Sequence, residues 1–294
     1  MLGLEISSTE IRLLQLAKVK NQWVVENYAW FPLPTGAILD GKIKQLDIIQ
    51  AALSSIMERT RTKGYPIAIA LPITSVISKR IKLAAYLHPQ ECEADISTNL
   101  HYYLPGTSDE LCFDFALTAT HEGYQEVLLV ASRYEQLHAY VLLANNVGWK
   151  VKIVDVDLYA LARASQLAFP SYLQTTAMVE VQQEITQFVL FHQKTMIFNQ
   201  QWRTDSVMLT QQLKRMFHLL SSLHAAVLPV ECLVVAGEAV NYADLEQALA
   251  LPVWGAHPFQ QMALAAHITK TELDEVASRF MVSCGLAMRS VPRW

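Results

Sequence analysis

Cysteine is scarce in this sequence, and long apolar runs are missing. The 294 residues include four cysteines, Cys92, Cys112, Cys232 and Cys284. They lie far apart and form no C-x-x-C pair, so neither a zinc site nor a redox dithiol is indicated, and buried reduced thiols are expected. The nine histidines show no i, i+4 pairing of the H-E-x-x-H kind, which argues against a histidine-built metal site. The longest apolar runs, such as "VLLVA" at 127–131 and "LVVA" at 233–236, fall far short of the roughly 20 residues that span a bilayer. A secretory signal is not expected, because Glu5 and Glu10 stand where a basic and then apolar stretch should be. Basic residues are not massed either: the densest stretch is Ser78-Lys79-Arg80, with Lys82 two residues on. With a net charge of −4, nucleic acid is not an expected partner. These absences predict a cytosolic protein whose membrane contact, if any, runs through a partner.

What is present is a large folded core. Apolar residues make up 52% and charged residues 17% of the chain, a balance that excludes a disordered tail. The length suits two lobes. Residues 2–6 and 11–16 alternate as a hairpin, 23–30 reads as a third strand, and 37–44 as an irregular loop turning at Asp40-Gly41. Residues 47–60 carry apolar side chains at helical spacing, with Asp47 as the expected cap, and 66–71 is a short buried strand. From Val76 to Gly148 the order strand, helix (89–101, closed by Tyr102-Tyr103-Leu104-Pro105-Gly106), strand, strand, helix marks a small unit of its own. A buried strand at 149–156 leads to a helix capped by Asp157. After Pro170 the opening pattern restarts: strands at 177–181, 187–191 and 196–198, a helix from Asp205 to Leu223, a strand at 232–236, a helix at 244–250, and a last helix at 273–288. The expected division is a first lobe of 1–75 with 149–172 and 273–294, an inserted subdomain at 76–148, and a second lobe at 173–272.

These stretches, in this order, carry a family resemblance. "LGLEISSTEIRLLQL" resembles "IGLDIGSSSVKLVEL" of the PilM family of type IV pilus assembly, relatives of the cell-division protein FtsA. "GAILDGKI" at 36–43 is similar to that family's "GAI-DG-I" loop, and "LPITSVISKRIKLAA" to its "VPGSAVITKTIQLPA". Tyr103-Leu104-Pro105 with Asp114-Phe115 downstream, the block at 127–164, and "SCGLAMR" at 283–289 resemble it further, most closely over the first 165 residues. The resemblance implies an α/β chain of the actin-like ATPase fold, two lobes with an inserted small α/β subdomain. It also implies a cytoplasmic scaffold, peripheral at the inner membrane, that binds the cytoplasmic N-terminal segment of a PilN-like membrane protein and links it to the pilus motor ATPases.

The resemblance raises the question of a nucleotide. In actin-like proteins two glycine-rich hairpins bring backbone N–H groups to the phosphates, and an aspartate in each helps hold Mg²⁺. This sequence departs at each point. Glu5 stands in place of Asp and Ser7 in place of Gly; Glu180-Val181-Gln182 replaces Asp-Ile-Gly; and Gly237, at the expected adenosine turn, is followed by Glu238. Ser8 and Gln15 remain as possible donors. The expectation is therefore a hairpin that packs, no cofactor and no catalysis. The alternative is an actin-like ATP-binding protein, or weak ATPase, that takes ATP with Mg²⁺ and regulates assembly. An FtsA-like self-anchoring protein ranks below both, since the last helix runs directly into Ser290-Val291-Pro292-Arg293-Trp294. Asp155 and Asp157 alternate as a metal pair would, but a helix cap is the simpler reading; Glu91, Glu93 and Asp95 read as an acid-rich helix start, and Trp149 and Trp254 as core. For the partner peptide, a groove between the first lobe and the inserted subdomain is expected, with Tyr102, Tyr103, Phe115 and Arg133 as the candidates to line it.

Overall fold

The opening hairpin lies at the middle of the first sheet. In a computed structural model, β1 (Leu2–Ile6) pairs antiparallel with β2 (Glu10–Val19), and β2 with β3 (Gln22–Pro32). The structure describes residues 1–39, 41–105, 110–169, 174–183, 185–203, 208–223, 229–238 and 240–290. Lys20 and Asn21 turn β2 into β3 with φ of 47 and 70, the left-handed pair that a two-residue hairpin requires. The segment expected as an irregular loop holds β4 (Ile38–Leu39) against β5 (Lys42–Ile43); its turn residue Asp40 lies outside the described residues. Helix α1 (Leu46–Thr60) buries Ile49, Ala52, Leu53 and Ile56. It starts ahead of Asp47, which therefore does not cap it: Gln45 is the N-cap, and Asp47 sits in the first turn, where the helix dipole favours an acid. Strand β6 (Pro66–Leu71) then lies parallel to β1.

A 3₁₀ turn at Ile73–Ser75 leads into the inserted unit: β7 (Val76–Ala84), α2 (Pro89–Thr98), α3 (Leu100–Tyr103), β8 (Leu111–Thr120), β9 (Tyr124–Arg133) and α4 (Tyr134–Asn146). Its antiparallel sheet runs β7-β9-β8 and packs Ile81, Leu83, Val127 and Leu129 on Ile96 and Leu100. The single helix expected at 89–101 is two, because Asn99 leaves helical geometry (φ −104, ψ 13) and turns its amide to Asp95 Oδ1 at 3.2 Å. Gly106, expected to close it, lies outside the described residues. Helix α4 returns to the first lobe, where Tyr140 and Leu143 share a core with Leu53 and Ile56.

Strand β10 (Lys150–Val156) extends the first sheet beside β6, and α5 (Asp157–Ala168) follows. The second sheet holds β11 (Thr175–Val181), β12 (Ile185–His192) and β13 (Thr195–Arg203). After α6 (Leu209–Leu223) come β14 (Cys232–Gly237), α7 (Tyr242–Leu249) and β15 (Val253–Gly255). Pro170 and Asp205 lie outside the described residues. The second order, β13-β12-β11-β14-β15, repeats β3-β2-β1-β6-β10 of the first sheet: a hairpin with a third antiparallel strand on one side and two parallel strands on the other. Strand β16 (Ala263–Leu264), from the stretch assigned to the second lobe, adds to β3 at the edge of the first sheet.

The last helix of the sequence reading is broken in two. Helix α8 (Lys270–Val276) passes through a 3₁₀ turn at Ala277–Phe280 into α9 (Met281–Ala287), because Val276 (φ −113, ψ 0) and Phe280 (φ −95, ψ 15) leave helical geometry. Every residue of α9 is buried, so no apolar stripe marks where it starts. Helices α5 and α9 lie between the sheets: Leu14, Leu16 and Ala68 of the first sheet and Met178, Val189 and Val234 of the second share one cluster with Ala160, Ala164, Cys284 and Leu286. Outer faces are covered separately, the first by α1 and α4, the second by α6 and α7.

Candidate functional site

Repeating the hairpin in both lobes points the two tips at each other across a cleft of about 400 Å³. From the first lobe Glu5, Ser7 and Ser8 reach it; from the second, Glu180, Gln182 and Gln187; Asp157 stands at the start of α5 between them. Gly237 is not part of its lining. It ends β14 at φ +85, where a Cβ would strike the Val181 carbonyl, so this glycine serves the close approach of β14 to β11.

Strand pairing sets the charge layout. Glu5 on β1 lies opposite Arg12 on β2, and Glu10 is two residues from Arg12 on the same face. Arg12 is 1% exposed, and its guanidinium donates to Glu5 Oε1 at 2.6 Å and to Glu10 Oε1 at 2.6 Å. Arg279, from the 3₁₀ turn before α9, donates to Glu10 as well and lies over the Trp30 ring, 5.7 Å from its centroid. Two acids and two arginines therefore balance. Glu180 and Asp157 are further acids, and no ion pair is formed by either among the described residues. Burial pushes Glu180 up to about 8, with the Glu5 charge adding and Arg12 opposing. Asp157 is raised to about 7 chiefly by burial, although the N–H groups of Leu158 and Ile73 donate to its Oδ1 at 2.6 and 2.9 Å. Burial likewise raises Glu5 against the pull of Arg12.

The first hairpin turn satisfies the amides of Ser7, Thr9 and Glu10 within itself. Ser7 Oγ donates to the Glu10 carbonyl at 2.8 Å and accepts from the N–H groups of Glu10 and Thr9 at 3.1 and 3.4 Å. A phosphate would need donors of this kind turned outward. Arg12, buried behind Glu5, is held by two carboxylates, and the cleft lining carries Glu5, Asp157 and Glu180 with Arg203. Among the described residues no three His, Cys, Asp or Glu side chains converge as a metal site. These features argue against Mg²⁺ with a polyphosphate as the ligand of this cleft.

A second concavity, about 380 Å³, lies between the first lobe and the inserted subdomain. Val76 and Ile77 of β7, Leu111 of β8, and Lys42, Arg133 and Gln136 line it. The loop at 36–43 forms the wall between the two cavities: Ile38, Leu39 and Gly41 face the cleft, Lys42 faces the groove, and Thr74 lines both. Gln136 Nε2 and Tyr140 Oη donate to the Gly41 carbonyl at 2.5 and 3.1 Å, which fixes that wall to α4. Of the four residues considered for a peptide groove, Arg133 lines this one. Tyr103 and Phe115 pack against the core of the inserted subdomain, Tyr103 reaching Asp95 with its hydroxyl at 3.4 Å. Tyr102 is 74% exposed and rests against His101 with the rings tilted by 42°, and it is not among the residues that line the groove.

Other candidates resolve into structural roles. Asp155 pairs with Arg163 at 2.9 Å and Arg289 at 3.4 Å, apart from Asp157, and the N-cap of α5 is Val156, with Asp157 as its first residue. Glu91 accepts the His88 N–H at 2.8 Å in a capping box at α2. Trp149 is buried and donates to Thr62 Oγ1 at 2.9 Å. Cys92, Cys232 and Cys284 are buried free thiols, and Cys112 is half-buried. Sequence reasoning passed over Arg12, Glu10, Gln187 and Arg279. The first two were legible as opposite charges at i and i+2 on a strand; Arg279 carries no local signal, being 269 residues from its partner Glu10.

Compared with known proteins, residues 3–227 match the sequence profile of the family described as type IV pilus assembly protein PilM. Among solved structures the chain is similar to a PilM-PilN type IV pilus biogenesis complex, with a TM-score of 0.81 at 20% identity, covering 99% of this chain and 98% of that one. It is also similar to the ethanolamine utilization protein EutJ from Carboxydothermus hydrogenoformans (TM-score 0.52, 10% identity, 98% and 89% covered). A Bacteroides thetaiotaomicron protein with an actin-like ATPase fold and unknown function gives 0.51 at 10% identity, with 98% and 95% covered. The fold is actin-like, as the repeated sheet order already indicates.

Proposed function

The chain belongs to the PilM family of type IV pilus assembly proteins, and from that premise we propose that it is a scaffold without enzymatic activity, built to hold the cytoplasmic N-terminal segment of a PilN-like inner-membrane protein. The observation that carries this reading is the groove between the first lobe and the inserted subdomain, with apolar Val76, Ile77 and Leu111 beside the Arg133 guanidinium. Apolar pockets with a polar group at one end suit an extended peptide. The shared fold with a solved PilM-PilN complex supports the choice of partner. Bound in this way, the chain sits at the cytoplasmic face of the inner membrane and connects PilN to the motor ATPases. No helix among the described residues is long and apolar enough to cross a membrane.

The second reading, an actin-like protein regulated by ATP with Mg²⁺, draws on the fold of its neighbours. The acidic cleft wall, the self-satisfied Ser7 turn and the engaged Arg12 weigh against it. Calorimetry with a PilN N-terminal peptide tests the scaffold. Measurable binding that drops at least tenfold in Arg133→Glu, at unchanged melting temperature, is the expected result. Absence of heat from folded protein overturns it.

A further inference from the structure

The interlobe cleft is lined by buried acceptors that lack donors. Glu5 Oε2, Glu180 Oε1 and Gln187 Oε1 are all buried, line the cleft, and have no hydrogen-bond partner among the described residues. Their residues are 4%, 5% and 6% exposed. Gln187 is independent of the acids: its Nε2 is turned to the Phe188 and Gln200 carbonyls at 3.2 and 3.4 Å, which leaves its oxygen unpartnered. Buried polar atoms without partners are rare in folded proteins, and several in one cavity point to a ligand that completes them. Burial leaves Glu180 holding a proton up to about 8; once a cation displaces that proton to solvent the carboxylate only accepts, as the Gln187 oxygen does, so the ligand that completes these atoms must be rich in donors.

Charge and shape narrow it further. Glu5, Asp157 and Glu180 line the cavity, and Arg203, exposed and with contacts of its own, lines it as well. A lone metal ion is disfavoured by the absence of three converging ligands among the described residues. The volume of about 400 Å³ falls in the range of small-molecule sites, roughly 300–1,000 Å³. Beside the acids the lining mixes apolar Ile6, Ile38 and Leu158 with polar Ser8, Thr74 and Gln201. Methylenes suit the apolar side chains, and ammonium groups, with three donors each, suit the acceptors.

We propose that the interlobe cleft binds a small aliphatic di- or polyamine, its ammonium groups donating to Glu5, Glu180 and Gln187. A cleft that holds a nucleotide in other actin-like proteins would thus have reversed the charge of its ligand. The test is isothermal calorimetry on the full chain with spermidine, with MgCl₂ alone and with NaCl at matched ionic strength as separate arms. Saturable binding of spermidine, without binding in the other arms, is expected, weakening at least tenfold in Glu180→Gln. That substitution is isosteric; if it fails to fold, Gln187→Met takes its place with the same expected loss. Silence of the folded protein toward millimolar spermidine overturns the proposal. So does equal binding of Mg²⁺ alone, or affinity in a folded variant within twofold of the parent.

Discussion

Arg12 decides the character of the cleft at the scale of single residues. It sits under the first hairpin, held by Glu5 and Glu10, while Arg279 holds Glu10 from the other side. Removing one partner of a buried ion pair leaves an uncompensated charge, at a cost of about 3–5 kcal/mol. Arg12→Met should lower the unfolding free energy by that order in urea titrations, and adding Glu5→Gln should restore part of it. A small loss, comparable to a surface substitution, would show that the network contributes little. Glu180 gives a second residue-level expectation. Its carboxyl titrates near 4.5 in an ordinary setting and is pushed to about 8 here, chiefly by burial, with the Glu5 and Asp157 charges adding and Arg12 opposing. Between those values the folded state holds a proton that the unfolded state has released, so stability present below 4.5 is lost as pH rises through 8. The melting temperature should fall across that window, and Glu180→Gln should flatten the fall. A parallel curve for the variant would remove Glu180 as the cause.

At the scale of elements, the contact of α9 with α5 and β1 holds the layers together, and it depends on missing side chains. A Cβ on Gly285 would overlap the Ala160 carbonyl, and one on Gly3 the Ser283 carbonyl. Backbone atoms of packed elements cannot swing aside as a side chain can. In an exposed helix interior, Gly→Ala stabilises by about 1 kcal/mol. Here the sign reverses, and Gly285→Ala should destabilise by about 3 kcal/mol or more through overpacking, read as a drop in denaturation midpoint. A helix over 273–288 was visible in the sequence, but the break between α8 and α9 was not. It follows from the 3₁₀ turn that carries Arg279 to Glu10 and lets the Ser278 hydroxyl donate to the Gly237 carbonyl at 3.2 Å, and those partners are remote in sequence.

For the whole molecule, the two sheets share one buried cluster around α5 and α9, and one short loop forms the wall between the cleft and the groove. A ligand at either site should therefore raise global stability. A ligand at a hundred times its Kd adds roughly 2.7 kcal/mol, enough to move a melting temperature by several degrees. Millimolar Mg-ATP should leave the melting temperature unchanged, while a PilN N-terminal peptide in excess should raise it. A rise with Mg-ATP would return the ATP-regulated reading to first place.

The sequence by itself determined the repeated hairpin, the inserted unit and the family, because alternation, turn residues and the order of short motifs are local properties that one strand or loop expresses alone. Glu5, Ser7, Glu180 and Gln182 were legible as departures from a phosphate-binding pattern for the same reason. Tertiary structure alone decided what surrounds those residues. Only when the two sheets close on α5 and α9 do Glu5, Asp157 and Glu180 face one cavity and Arg279 reach Glu10. It also moved Tyr103 and Phe115 into a core and left Arg133 at a groove. Burial and charge neighbours are sums over distant segments, and no window of the sequence contains them.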